Sequence, residues 1–256
     1  MTSNNTWHES VPGSVEFESD KKRNLEALSK ESRFRATGLE LMTQLSKYGF
    51  GYKNSWMGVP IIRLPEDLIL QQEVVWNEKP DLIIEIGVAR GGGLIFNASL
   101  QEMCGITPNV LGVDNKFFDH TLAAIASNRF RENINLIEGD SNSLEVVSKV
   151  QSVASECSKA LLILDSDHSS KHVLEELRNY IPILPVNSVI MVCDTLIDEY
   201  PEGTYANRTW SDGKGPLDAI AIFRKENNSV LPFMEIESKA LILSEIRDGL
   251  LRKISK

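Results

Sequence analysis

Cysteine, histidine, positive charge and long apolar runs are all in short supply, and each shortage excludes a class of function. Three cysteines, Cys104, Cys157 and Cys193, are too few and too scattered for a disulfide framework or a thiolate zinc site. A reducing compartment fits them. Lys and Arg number 27 against 36 Asp and Glu, a net charge of -9, so no broad phosphate-binding surface is expected. Small molecules, not nucleic acids, are the expected partners. Nowhere do about 18 apolar residues run without a charge, which excludes a membrane-spanning helix. The first residues, MTSNNTWHESVPGS, have neither a positive n-region nor an apolar h-region, so a soluble, unprocessed, cytoplasmic protein is expected.

What is present reads as one main domain with a small appendage. Residues 1–15 are polar, carry Pro12 and Gly13, and read as a loose tail. Residues 16–60 read as a helical segment followed by a loop, with Leu25, Leu28, Phe34, Leu39, Leu41, Met42 and Leu45 as candidate buried positions. From 61 to 256 the rhythm changes. A helix at about 66–78 precedes short apolar runs, DLIIEIG, NVLGVD, INLIEG, KALLILD and NSVIMVCD, separated by amphipathic stretches. That alternation predicts an α/β fold with a doubly wound, mostly parallel sheet covered by helices on both faces. A helix near 216–225 follows, and the runs LPFMEIE and ALILSE are expected to close the sheet as an antiparallel hairpin.

In an open parallel sheet, ligands sit beyond the carboxyl ends of the strands, where the strand order reverses. The first strand ends Glu85-Ile86-Gly87-Val88-Ala89-Arg90-Gly91-Gly92-Gly93 and runs into the helical stretch LIFNASL. Glycines there let backbone N–H groups approach a ligand at a helix N-terminus. The spacing is neither the dinucleotide fingerprint G-x-G-x-x-G nor the G-K-[ST] of a P-loop. The second strand ends in Asp114, placed to accept hydrogen bonds from ribose hydroxyls, and the third ends Glu138-Gly139-Asp140-Ser141, where class I methyltransferases, whose first motif the E-x-G-x-x-x-G turn resembles, place groups around the adenine. With Asp165 these form the candidate nucleoside-binding set: Glu85, Gly87, Arg90, Gly91, Gly92, Asp114, Asp140, Ser141 and Asp165.

The fourth apolar run ends in Leu164-Asp165-Ser166-Asp167-His168 and the fifth in Cys193-Asp194. Parallel neighbours end on one edge, so these groups converge. Carboxylates that converge repel unless a cation sits between them, and hard oxygen ligands favour magnesium. One of Asp165 and Asp167 is expected to cap the helix starting near Ser169, leaving the other to hold the ion with Asp194. His168 is a candidate base for a hydroxyl proton, or a residue bonded to backbone. His172 is expected to share its helical face and point to solvent. The aromatic loops at 50–60 and 196–216 supply Tyr52, Trp56, Tyr205, Arg208 and Trp210 as candidate substrate contacts.

Residues from about 50 to the C-terminus resemble the family of cephalosporin hydroxylases, also called rhamnosyl O-methyltransferases. The resemblance rests on E-x-G-x-x-x-G within PDLIIEIGVARGGG, on Trp56-Met57-Gly58, LDSDHSSKHVLEELRNYIPIL and Asp194-Thr195, and on NRTW, GPLDAI and the final GLLRKI. It covers about four fifths of the chain. It implies a class I methyltransferase fold, a seven-stranded sheet and S-adenosylmethionine as cofactor. The implied activity is magnesium-assisted O-methylation of a sugar or secondary-metabolite hydroxyl, in a homo-oligomer. It also implies a metal held at Asp167, Cys193 and Asp194. Cys193 departs from the family, which has an acid there, and a neutral thiol is a poor magnesium ligand. Either Asp165 or water completes the shell, or the ion binds weakly, or metal dependence has been lost.

Three other readings compete. An iron oxygenase needs two histidines and a carboxylate in a facial set, but among four histidines no H-x-D occurs. A nicotinamide-dependent oxidoreductase fails on glycine spacing. A non-catalytic nucleoside-binding or scaffolding protein, its metal site lost with Cys193, is the remaining alternative.

Overall fold

The computed structural model describes Val11, residues 13–201, 203–204 and 214–255. Two N-terminal helices, α1 (Val15–Leu28) and α2 (Ser32–Ser46), precede a short hairpin of β1 (Ser55–Trp56) and β2 (Val59–Pro60). Then come α3 (Pro65–Glu78), β3 (Leu82–Ile86), α4 (Gly92–Met103), β4 (Val110–Asp114), α5 (Asp119–Ala126), β5 (Ile134–Glu138) and α6 (Leu144–Ala154). The chain continues through β6 (Ala160–Leu164), α7 (Ser170–Tyr180), β7 (Val189–Val192), α8 (Pro216–Glu226), β8 (Val230–Pro232), α9 (Glu235–Ala240) and β9 (Leu250–Lys253).

The seven-stranded sheet has the order β5-β4-β3-β6-β7-β9-β8, parallel from β5 to β7 and antiparallel at β9 and β8. This is the class I methyltransferase architecture. After β3 the chain adds β4 and β5 on one side, then crosses back to place β6 on the other, so the order reverses at β3. Every residue of β3 is buried. Alternation divides its side chains: Leu82, Ile84 and Ile86 pack with Val146, Leu177 and Phe223 of α6, α7 and α8. Ile83 faces Leu70, Val74, Leu94 and Ala98 of α3 and α4. Glu85 shares that second face by parity and is only 3 % exposed. A carboxylate in such a place needs partners.

Two sequence expectations change. LPFMEIE and ALILSE do not form the closing hairpin; β8 pairs with β9, drawn from GLLRKI. Met234 takes a left-handed turn (φ +49°) into α9. The stretch after α9 gives its N–H groups to acids at the start of α3, Ile242 and Leu243 to Glu66 Oε2 and Glu245 to Asp67 Oδ2. In the N-terminal segment, Met42 is buried, whereas Phe34 and Leu41 are exposed and α1 buries no side chain. Arg35 fastens α2 to the body through Glu199 (2.5 Å) and Asp248 (2.8 Å). Among the described residues no helix is long and apolar enough to cross a membrane.

Candidate active site

The carboxyl ends of the parallel strands open into a cleft of about 890 Å³, a volume in the range of cofactor pockets. The turn after β3 forms its floor. Gly87 has φ +95°, and a Cβ there would lie 2.0 Å from the Asp165 carbonyl oxygen, so the ends of β3 and β6 touch only because the residue is glycine. Gly91 caps α4 in the left-handed region, and Gly92 and Gly93 open the helix. Asp114 fastens this turn from β4: its Oδ2 accepts from Val88 N (2.9 Å) and Ala89 N (3.3 Å). Arg90 lies exposed at the rim, Nη1 2.8 Å from His120 Nε2. Asp140 and Ser141 line the cleft from the end of β5.

Beneath the floor runs a buried polar circuit. Glu85 accepts from Asn97 Nδ2 (2.7 Å), Asn97 Oδ1 accepts from Gln71 Nε2, and Gln71 Oε1 accepts from Arg63 Nη1. Arg63 Nη2 then donates to Asp165 Oδ2 (2.8 Å) and lies 3.7 Å from Cys193 Sγ and 3.9 Å from Glu85 Oε1. Burial pushes the Glu85 carboxyl up to about 7, against the pull of Arg63 and Asn97. Burial likewise opposes the Arg63 charge, but the acids Asp165 and Glu85 outweigh it and hold the guanidinium above its ordinary value. The Cys193 thiol is driven well up by burial and then by Asp165, so it is neutral at physiological pH.

Asp165, His168 and Asp194 each bring one ligand atom into a group spanning no more than 4.8 Å. His168 Nδ1 lies 3.5 Å from Asp194 Oδ2. Burial raises Asp165 well above the carboxylate range, Arg63 draws it back, and Asp194, hydrogen-bonded to it, raises it again. Glu245 on the cleft wall is raised by burial and by Asp194, Asp67 and Asp165. Mutual repulsion of this kind is relieved by a cation, and two carboxylates with an imidazole form a donor set suited to a divalent ion.

The structure rearranges several expectations. Neither acid caps α7: Ser169 does, its Oγ accepting from His172 N, while Asp167 Oδ1 accepts from Ser169 N (2.8 Å) one step earlier. Asp167 lines the cleft but stands outside the Asp165–His168–Asp194 group, and so does Cys193, packed against Arg63. His172 is not solvent-directed; it is half-buried, with Nε2 3.1 Å from Glu176 Oε1. His168 precedes the helix, so the two histidines share no helical face. Trp56 is a structural anchor, donating to Ser99 Oγ (2.9 Å) and meeting Phe96 edge-on at 4.8 Å. It does not line the cleft, whereas Tyr52 does, joined by Tyr200. Tyr205, Arg208 and Trp210 lie outside the described residues. Arg63, Gln71, Asn97, Asp67 and Glu245 were not anticipated. The one signal was a polar residue in an apolar context, as in Ile61-Ile62-Arg63-Leu64.

A family model described as rhamnosyl O-methyltransferase/CmcI matches residues 48–254. The chain belongs to this family. The rhamnosyl O-methyltransferase of Mycobacterium leprae is 30% identical over 173 residues, 67% of this chain and 71% of that protein. Its counterpart in Mycobacterium tuberculosis is 29% identical over 176 residues, 68% of this chain and 67% of that one. Among solved structures, CmcI with Mg and SAM matches with a TM-score of 0.55 at 20% identity, over 80% of this chain and 78% of that chain; this likeness speaks for the fold. Membership places the chain in a family named for rhamnosyl O-methyltransferases.

Proposed function

We propose that this rhamnosyl O-methyltransferase/CmcI family member transfers the methyl group of S-adenosylmethionine to a hydroxyl of a sugar or secondary metabolite, with a divalent ion, magnesium, at Asp165 and Asp194. The observation that carries the metal is the convergence of Asp165, His168 and Asp194 within 4.8 Å at the ends of β6 and β7. The observation that fits the cofactor is the glycine turn held open over Glu85 and clasped by Asp114.

S-adenosylmethionine supplies an electrophilic methyl group on a sulfonium. A divalent ion lowers the pKa of a hydroxyl bound to it. The chain's own groups do the rest. Asp114, Asp140, Asp165, Asp167 and Asp194 give the cleft a negative lining that attracts the cationic cofactor and holds its neutral product less well. Asp165, steadied by Arg63 at one oxygen, and Asp194 present hard oxygens. His168, with Nδ1 facing Asp194, is the base for the acceptor proton, with Nε2 as the receiving atom. Tyr52 and Tyr200 offer ring faces to the acceptor at the rim. Asp165 takes the place in the ligand set that the Cys193 thiol cannot fill.

Calorimetric titration with S-adenosylmethionine and with its demethylated product, each with and without magnesium, tests the proposal. Micromolar binding is expected, tighter when magnesium is present, with a weaker metal response in Asp194→Asn. Absence of binding by either compound sinks the methyltransferase reading.

A further inference from the structure

We infer that Glu176 sets the hydrogen-bond polarity of the cleft wall at Ser141 and Ser166 and, with the cofactor's purine against that wall as the family resemblance implies, makes it select a base with a 6-amino group. The inference rests on the cofactor assignment above and concerns a residue that touches no ligand. Glu176 lies on α7 with no exposed surface. Its Oε1 accepts from Ser141 Oγ and from Ser166 Oγ, each at 2.6 Å, and lies 3.1 Å from His172 Nε2, which is also 3.1 Å from Ser141 Oγ and leaves that serine one lone pair for the cleft. Its Oε2 is buried and has no hydrogen-bond partner among the described residues. Such a carboxylate, placed under three donors, has work to do beyond its own satisfaction.

That work follows from the proton count of a hydroxyl. A serine has one proton to donate and two lone pairs with which to accept. Ser141, at the end of β5, and Ser166, after β6, both line the cleft, and both have committed that proton downward to Glu176. Towards the cleft they are acceptors only. Tyr180 holds the arrangement by donating its hydroxyl to the Ser141 carbonyl at 2.6 Å. The bond to Glu176 also keeps the His172 imidazole above its ordinary pKa, so the ring nitrogen facing the carboxylate remains a donor to it. An acceptor-only surface welcomes an exocyclic amine and repels a carbonyl of the same size. Adenine presents the first and hypoxanthine the second at position 6. Glu176 is therefore a positioning residue that confers specificity through the two serines.

The experiment is calorimetry of the full chain with S-adenosylhomocysteine and with its hypoxanthine counterpart, S-inosylhomocysteine. The parent protein should prefer the adenine compound by about 30-fold or more, since a polar site left with mismatched partners pays heavily. Glu176→Gln adds a donor that lets the serines turn their protons outward, and the preference should fall below about 3-fold. Ser166→Ala keeps Glu176 and removes one acceptor; it should weaken the adenine compound about 10-fold while changing the hypoxanthine compound by less than about 3-fold. Equal binding of the two compounds by the parent, or full preference retained in Glu176→Gln, overturns the inference and leaves the methyltransferase reading intact. Failure of the parent to bind either compound overturns both.

Discussion

Arg63 Nη2 donates to Asp165 Oδ2 across 2.8 Å, joining two residues 102 positions apart in sequence. Arg63 is 4 % exposed, and its guanidinium is the cation against which Asp165, Glu85 and Cys193 are all arranged. Through Gln71 and Asn97 it also reaches the carboxyl under the glycine turn, so the two halves of the cleft share one buried ion.

Removing that ion leaves Asp165 without its cation and breaks the buried circuit to Glu85. Arg63→Met keeps the length of the side chain but gives Asp165 and Gln71 no donor, and stability should fall by about 3–5 kcal/mol. Arg63→Lys, which retains the charge but not the fork, should lose about half as much. Urea unfolding with an unchanged slope checks both. A loss under about 1 kcal/mol for Arg63→Met would show that Asp165, like Glu85, keeps its proton in the fold and needs no counter-ion.

Two buried acids give stability a pH dependence with a definite sign. Burial pushes Asp67 from the ordinary 3.8 up to about 7, and Glu85 from 4.5 up to about 7. Between those limits the folded chain keeps protons that the unfolded chain has released. The contribution of these two groups to stability therefore falls as pH rises from about 4 to 7, by at most about 1.4 kcal/mol per pH unit for each group, and flattens above 7. Asp67 accepts from Ser244 Oγ and Glu245 N, contacts that an asparagine can largely keep. Asp67→Asn should make the slope shallower, read as urea midpoints at pH 5, 6, 7 and 8. An unchanged slope would mean that Asp67 is ionised in the fold.

The floor of the cleft leaves no room for a methyl group at Gly87. Its φ of +95° is strained for any other residue, and an added Cβ would meet the Asp165 carbonyl at 2.0 Å. Gly87→Ala should push β3 and β6 apart at the point where the two halves of the cleft meet. We expect a loss of about 2 kcal/mol or more and at least about tenfold weaker binding of S-adenosylhomocysteine. Parent-like affinity in calorimetry would show that the cofactor does not use this turn.

The parallel strands were legible because each is an apolar run that stops at a polar residue, and the stopping residues gather on one sheet edge whatever the loops do. Asp165 and Asp194 could be brought together by that rule alone. Arg63 could not, since its partners Glu85, Asp165 and Cys193 lie far along the chain and nothing local marks an arginine for burial. Periodicity also misled at LPFMEIE and ALILSE. Both look like strands, but LPFMEIE leaves β8 after Pro232 and turns into α9, and in ALILSE the acids Glu66 and Asp67 of α3 take the backbone N–H groups that a ladder would have used. A distant side chain outcompeted a local pattern. At Ser169 the local signal was present and was assigned to the wrong neighbour, for a hydroxyl one residue from the helix caps it better than an acid three residues away.

Cys193 tests whether the acid cluster has kept its affinity for a cation. The thiol is neutral and buried against Arg63, so it adds no charge to the group formed by Asp165, His168 and Asp194. Cys193→Asp places a further carboxylate there with little added volume. Without an ion the new charge is buried beside two others and the midpoint temperature should fall, by an amount equivalent to about 1–3 kcal/mol. An ion that binds the folded state alone restores stability in proportion to the logarithm of its concentration over its dissociation constant. Magnesium should therefore raise the midpoint of Cys193→Asp more than that of the parent, and Asp194→Asn should abolish the response in both. Equal responses to magnesium in parent and Cys193→Asp would mean that Arg63 neutralises the introduced carboxylate and that the ion, if it binds, does so without help from position 193.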